Sequence, residues 1–426
     1  MTEQRRVTVA IGANQIPVGQ LIFDFDLNRQ KAVFKYTEEW LSRPGAFALA
    51  PSMPLTDYPV YASGDRSNPH TALPGPIADT TPDSWGRGII SKALARQPTE
   101  LDYLLAVNDL TRLGALRFLD KEGRPLAFAQ PPTPRLNDMD QIMRYHRSIE
   151  NNHPDAIAIA NLIVGSAGSL GGARPKSDYD DEGIFSIAKF TAERDTMPIE
   201  RMEVTTLKLA ARVGLRAAKA RLVLAETAHP IAIIRRFDRR NESRIHYLSA
   251  QTFLGLDSAS GGFYTDIAEA MRQHCGDADL ITGELRELHD RIMFTILISN
   301  NDDHLKNHGF LYAGSNRWIL SPAFDINPQP FRHRHLETGI SPLSNNEASI
   351  EAAIEAAPFF DVTEDEAHQR AVGMGEQITK EWKIHAADCG MSPAEIRLYE
   401  PAFANEEMQL ARGKLSATRS SVGVAT

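Results

Sequence analysis

The sequence predicts an α+β fold in two lobes, with a β-rich leading part and a mainly helical carboxyl-terminal lobe. Near the amino terminus VTVAI, GQLIFDFD and KAVFKY alternate apolar and polar residues, as an antiparallel sheet with one buried face does. Beyond residue 254 the apolar spacing becomes helical, over 264–273, 280–298, near Ile350, and over 364–386 and 393–415.

Between these parts, 82–94 and 100–110 read as helices, the first opened by proline and aspartate as helix starts favour. AQPPTPRLND, residues 129–138, is a proline-rich candidate linker. GSAGSLGGARPKSDYD then reads as a glycine-rich loop, IFSIAKF as a strand, IERMEVTTLKLAARVG as a helix, and ARLVLAE and PIAIIRRFD as two strands. The expected division is a β-rich unit over 1–128, a second lobe over 129–253 and a helical lobe over 254–426. SATRSSVGVAT reads as a frayed tail.

The chain has 426 residues, 42% apolar and 24% charged, which fits an ordinary globular protein of two or three packed units. A formal charge of -9 argues against a broad nucleic-acid surface. The densest basic run is Arg235, Arg236, Arg239 and Arg240, interrupted by Asp238. Cys275 and Cys389 lack metal-ligand spacing and read as buried or incidental thiols. No apolar run is long enough to cross a bilayer and no secretion signal is evident, so a cytoplasmic location is expected.

The segment ISNNDDHLKNHGF encloses charged and amide groups between an apolar helix and an apolar strand-like run. Asp302 precedes Asn307 by five residues, the spacing by which one loop presents a base to an incoming hydroxyl and an amide oxygen to magnesium in phosphoryl transfer from ATP. Asp303 follows at once, but only Asp302 has that spacing. A second metal-binding carboxylate should follow a short hairpin, and Asp325 does so in WILSPAFDINPQP. Lys189, on the strand behind the glycine cluster Gly168 to Gly172, is placed to hold phosphates, and Glu203 on the next helix to orient it.

Singly, each piece has a plainer reading. Such acid–amide spacings arise by chance, glycine clusters are mostly turns, and Lys189 and Glu203 would serve as well on a solvated surface. It is their order that points to a kinase. His304 and His308, four apart, suggest a metal pair, but no glutamate of the HExxH kind lies between them. His304 is expected to brace the loop by hydrogen bonding. His333 and His335 carry no functional assignment.

These residues resemble the HipA-type serine/threonine kinases, toxins of bacterial toxin–antitoxin pairs. The likeness runs through DDHLKNHGF, LSPAFDI, GSLGGARPK and IIRRFDR, and through TPDSWGRGII and NDLTRLGALRF in the amino-terminal part. It implies a protein-kinase-like fold with ATP and Mg2+ as cofactors. Asp302 would be the catalytic base, Asn307 and Asp325 the magnesium ligands, and Lys189 the phosphate-binding lysine. Ser169, Leu170, Gly171 and Gly172 would form the nucleotide loop, the backbones of Arg235 and Phe237 would hold adenine, and Asp238 would bond the ribose.

The loop reads GARPK where some members have GAQEK, and Lys176 is expected to face the phosphates. Ser169 lies where some members autophosphorylate, and Arg174 or Lys176 could pair with the new phosphate. The resemblance further implies a small helix-turn-helix antitoxin as partner, DNA contact through that antitoxin, a protein substrate and no membrane. Some members of the family phosphorylate an aminoacyl-tRNA synthetase. Two other readings stay open: a non-catalytic nucleotide-binding corepressor, and a small-molecule kinase.

Overall fold

A computed structural model describes residues 3–26, 29–65, 67–94, 96–127, 133–163, 174–241, 243–276, 278–330 and 335–413. The alternating segments form β1 (Glu3–Ile11), β2 (Ile16–Phe25) and β3 (Arg29–Tyr36), all antiparallel. Short α1 (Glu38–Leu41) and an excursion lead to β4 (Val60–Asp65), then α2 (Gly75–Ala78), α3 (Ser84–Leu94), α4 (Glu100–Ala106) and β5 (Leu116–Leu119). The sheet order is β4-β3-β2-β1-β5. Val7, Val9, Leu21, Phe23, Phe34 and Phe118 point to one face and pack with Trp40, Leu101 and Leu104, so the period-two pattern buries one side of this sheet. The second expected helix stops at Ala106, short of residue 110.

Helices α5 (Met139–Glu150) and α6 (Ala156–Ile163) follow. They pack against α3 and α4 through Ile89, Ile90, Ala106, Ile149, Ala160 and Ile163, so apolar packing crosses the expected division near residue 128. The next sheet holds β6 (Lys176–Asp181), β7 (Ile184–Phe190), β8 (Ala220–Val223) and β9 (Ile231–Arg235) in the order β6-β7-β9-β8, with α7 (Ile199–Arg212) between β7 and β8. Residues 176–180, expected as part of a loop, lie in β6. KSDYDD looks polar, yet Ser177 and Asp178 are buried and Lys176 to Asp181 pair along β7.

A two-residue hairpin, β10 (Arg239–Arg240) and β11 (Ser243–Arg244), precedes β12 (Tyr247–Ser249), which pairs with β13 (Gly309–Gly314); β13 pairs in turn with β14 (Arg317–Leu320). Around this small sheet lie α8 (Ala250–Phe253), α9 (Tyr264–His274), α10 (Ala278–Leu297), α11 (Ile350–Glu355), α12 (Glu364–Asp388), α13 (Pro393–Phe403) and α14 (Glu406–Ala411). The last expected helix is thus two. Asn405 ends the first by capping the second, its side chain accepting from the Met408 amide at 2.8 Å while Nδ2 donates to the Leu297 and Ala402 carbonyls. One apolar core joins α7, β9 and the carboxyl-terminal helices, so the two lobes share an interior.

Candidate active site

Lys189, near the end of β7, is buried and donates from Nζ to Glu203 Oε1 at 2.5 Å and to Asp325 Oδ1 at 2.8 Å. The three residues come from a strand, from α7 and from the segment after β14, so the structure brings together the lysine, the orienting glutamate and the second acid. Burial would depress the Lys189 pKa, but the Asp325 and Glu203 carboxylates outweigh it and hold the ammonium charged well above its ordinary range. Burial raises Glu203 despite Lys189, whereas Asp325 falls because Lys189, Lys176 and His304 outweigh its burial. One cation is therefore shared unequally, with Asp325 the more firmly ionised acid.

Asp325 adopts a left-handed backbone, φ 55°, that side-chain-bearing residues rarely take. Neighbours fix it there: the Ile326 carbonyl accepts from Thr206 Oγ1 at 2.7 Å, and the Asn327 amide donates to Asn300 Oδ1 at 3.0 Å. Asn327 Nδ2 also donates to Asp325 Oδ1 at 3.0 Å.

Residues 298–308 leave α10 and form the acid–amide loop. Asp302 is exposed, and its carboxyl is raised by partial burial and by the charges of Asp325, Glu337 and Asp303, with His304 opposing. Asn307 is buried and donates from Nδ2 to the Asp302 carbonyl at 2.9 Å, which leaves Oδ1 as the amide atom to serve a cation. Asp303 faces the other way. Its Oδ2 accepts from Tyr264 Oη at 2.5 Å and Thr295 Oγ1 at 3.2 Å, and lies 3.1 Å from His308 Nε2. Burial would raise this carboxyl, but His308 and the two hydroxyls hold it below the usual range. His308 is thus the histidine at ion-pair distance from Asp303, while His304, expected to brace the loop, has its Nδ1 buried, and neither that nitrogen nor His308 Nε2 has a hydrogen-bond partner among the described residues.

Lys176 is the cross-strand partner of Lys189, and its Nζ donates to Asp83 Oδ2 at 2.5 Å. Asp83 lies in the TPDSWGRG stretch of the amino-terminal part. That stretch was visible in the sequence, but nothing in it signalled a contact with a residue 93 positions later. Arg174 is engaged by Asp195 and Glu200 through its guanidinium, so both basic groups expected to meet a phosphoserine already have carboxylate partners. Ser169, Leu170, Gly171 and Gly172 lie outside the described residues.

In the connector after β9, the Arg235 amide donates to the Lys219 carbonyl at 2.8 Å. Phe237 is half-buried, and its ring packs 5.3 Å from that of Phe324. Asp238 is not placed to bond a ribose. It is 1% exposed: Oδ1 accepts from Arg236 Nε at 2.9 Å, and Oδ2 from Arg236 Nη2, Arg239 Nη1 and the Gly114 amide, each at 2.7 Å. The two guanidiniums overcome burial and hold the acid far below its usual range. Gly114 has φ 71°, and a Cβ there would stand 3.2 Å from the Tyr247 amide, so a side chain at this position would strain the turn that brings its N–H onto Asp238. Arg236 and Arg239 also donate to the Arg112 carbonyl, and the group clamps the 111–114 turn to the connector.

The Asp325 carboxylate and the Asn307 amide oxygen are hard oxygen donors, the kind magnesium takes together with phosphate oxygens and water. Lys189 and Lys176 supply fixed positive charge on the same side, so these residues fit a magnesium nucleotide.

Residues 9–119 match the HipA N-terminal domain, and residues 168–397 match the HipA-like C-terminal domain. The "Putative kinase Y4mE" of Sinorhizobium fredii is 26% identical over 340 residues, 72% of this chain and 75% of the relative. A "Putative kinase" of Haemophilus influenzae is 31% identical over 80 residues, 18% of this chain and 22% of the relative. A chain from the Shewanella oneidensis MR-1 complex of HipA, HipB and operator DNA superposes with a TM-score of 0.68 at 15% identity, over 96% of this chain and 97% of that one; the likeness is one of fold. With both domains matched in order, and the carboxyl-terminal match alone spanning more than half of its length, the chain belongs to the HipA-like family.

Proposed function

We propose that the protein is an ATP- and magnesium-dependent protein serine/threonine kinase acting as the toxin of a HipA/HipB-like module. The observation that carries this reading is the Lys189 ammonium shared between Glu203 and Asp325, together with a loop that exposes Asp302 and ties the Asn307 amide nitrogen to the Asp302 carbonyl. Membership of the HipA-like family and two relatives named as kinases support the class of reaction.

Lys189 would leave the Asp325 oxygen for the phosphates once ATP enters, with Glu203 keeping its ammonium in line. Asn307 and Asp325 would hold Mg2+, which when bound neutralises charge on the phosphate chain. Asp302 accepts the proton of a serine or threonine hydroxyl as its oxygen bonds to the terminal phosphorus. The bond to the bridging oxygen breaks and ADP leaves. Since Asp303 is enclosed, Asp302 is the carboxylate that a protein substrate can reach. Most of the rate enhancement would come from positioning and fixed charge.

The Shewanella oneidensis chain was seen with HipB and operator DNA, which supports a small DNA-binding antitoxin as partner here and contact with DNA through it. No helix among the described residues is long and apolar enough to cross a membrane. The substrate in this reading is a cytoplasmic protein, an aminoacyl-tRNA synthetase being one class. The test is phosphate transfer from labelled ATP by the purified chain, together with phosphoproteomes after induction of wild type and Asp302→Asn. Phosphoserine or phosphothreonine sites that need both magnesium and Asp302 are expected; their absence overturns the reading.

A further inference from the structure

Asp83 and Lys176 form an ion pair whose side chains are only 4% and 3% exposed. Taking two charges out of water is costly, and one contact does not repay it reliably as stability, so the pair calls for another explanation. The second feature is register. Lys176 and Lys189 are directly opposed on neighbouring antiparallel strands, where side chains share a face and like charges repel. Carboxylates from three separate segments offset that repulsion: Asp83 on Lys176, and Glu203 and Asp325 on Lys189.

Asp83 is itself held firmly. Its Oδ1 accepts from the Gly86 amide at 2.7 Å at the start of α3, and α3 is packed through Ile89 and Ile90. An ammonium has three protons, so Lys176 can keep Asp83 on one and offer another to a ligand oxygen.

We propose that Asp83 is a positioning residue of the nucleotide site, holding Lys176 beside Lys189 so that the two ammoniums together receive the phosphates of ATP. The amino-terminal part thereby completes the phosphate site, with Asp83 touching neither substrate nor metal. This rests on the kinase reading above.

The experiment is a double-mutant cycle in the full chain with Asp83→Asn, Lys176→Met and both changes, read by MgATP titration calorimetry, by KM and kcat, and by melting temperature without nucleotide. Asparagine keeps an acceptor for the Gly86 amide, so α3 retains its cap. Each single change should weaken MgATP about tenfold, about 1.4 kcal/mol, and appear mainly in KM. The double variant should bind no more weakly than Lys176→Met, because Asp83 acts only through that lysine. Additive losses overturn the proposal, as does wild-type MgATP affinity in a folded Asp83→Asn protein, including one whose melting temperature has dropped. Failure of wild type itself to bind MgATP would bring down the kinase reading and the proposal with it, an outcome distinct from an indifferent Asp83.

Discussion

The hydroxyl of Tyr264 donates to Asp303 Oδ2 at 2.5 Å, deep in the interior, while the neighbouring Asp302 side chain stands exposed. Two adjacent aspartates therefore have separate fates. Asp302→Asn should cut phosphoryl transfer by on the order of 10²–10⁴-fold, the usual worth of a positioned base, with an unchanged melting temperature. Asp303→Asn should cost about 2 kcal/mol of stability because Tyr264, Thr295 and His308 lose their charged acceptor. Thermal melts and transfer assays on both variants check this; an inactive, fully stable Asp303→Asn beside an active Asp302→Asn would move the base by one residue.

Asn307→Ala and Asp325→Ala should each weaken MgATP at least tenfold, because each removes a hard oxygen donor that magnesium needs. Nucleotide affinity measured without magnesium should change less in Asn307→Ala. Titration calorimetry with and without the metal distinguishes a lost ligand from a disturbed pocket.

Asp238 predicts a stability effect without a sugar effect. Asp238→Asn leaves Arg236 and Arg239 buried beside a neutral group and should destabilise the protein by about 3 kcal/mol, in line with broken buried ion pairs. The ratio of affinities for ATP and 2′-deoxy-ATP should stay as in wild type. A changed ratio would restore a ribose role to this residue.

Asp178 is fully buried near that clamp, with Arg236 Nη1 3.5 Å away and no hydrogen-bond partner on either oxygen among the described residues. Burial, opposed by Arg236, pushes its carboxyl up to about 6. The folded protein therefore binds this proton more tightly than the unfolded chain, and stability falls as pH rises through the window from about 4 to 6. A displacement of about two pH units corresponds to about 3 kcal/mol in all. Asp178→Asn should flatten this part of the profile, which denaturant titrations at pH 4, 5, 6 and 7 would measure.

How much of the site was legible depended on how local its geometry is. Asp302 and Asn307 share one loop, so their five-residue spacing already limits how the two groups lie. Lys189 and Glu203 sit on consecutive elements, strand then helix, and their meeting follows from the way that helix packs on the sheet. His304 and His308 looked alike in sequence, and only the direction of each ring made His308 the neighbour of Asp303. Asp238 was assigned to the ribose only through the family resemblance; Arg236, Arg239 and the distant Gly114 occupy its oxygens instead.

By itself the sequence determined the first three strands and their apolar face, the strand–helix–strand–strand run from β7 to β9, the hairpin ahead of Asp325 and the acid–amide loop, because side-chain periodicity and turn chemistry act over a few residues. Tertiary structure alone decided the break at Asn405, which depends on the Leu297 carbonyl 108 residues earlier. It also decided the strand identity of the polar 176–181 stretch, the reach of Asp83 to Lys176 and the closure of Asp238. Each of these turns on which donor meets which lone pair across a packed interface, and burial makes that pairing obligatory without recording it in any local pattern.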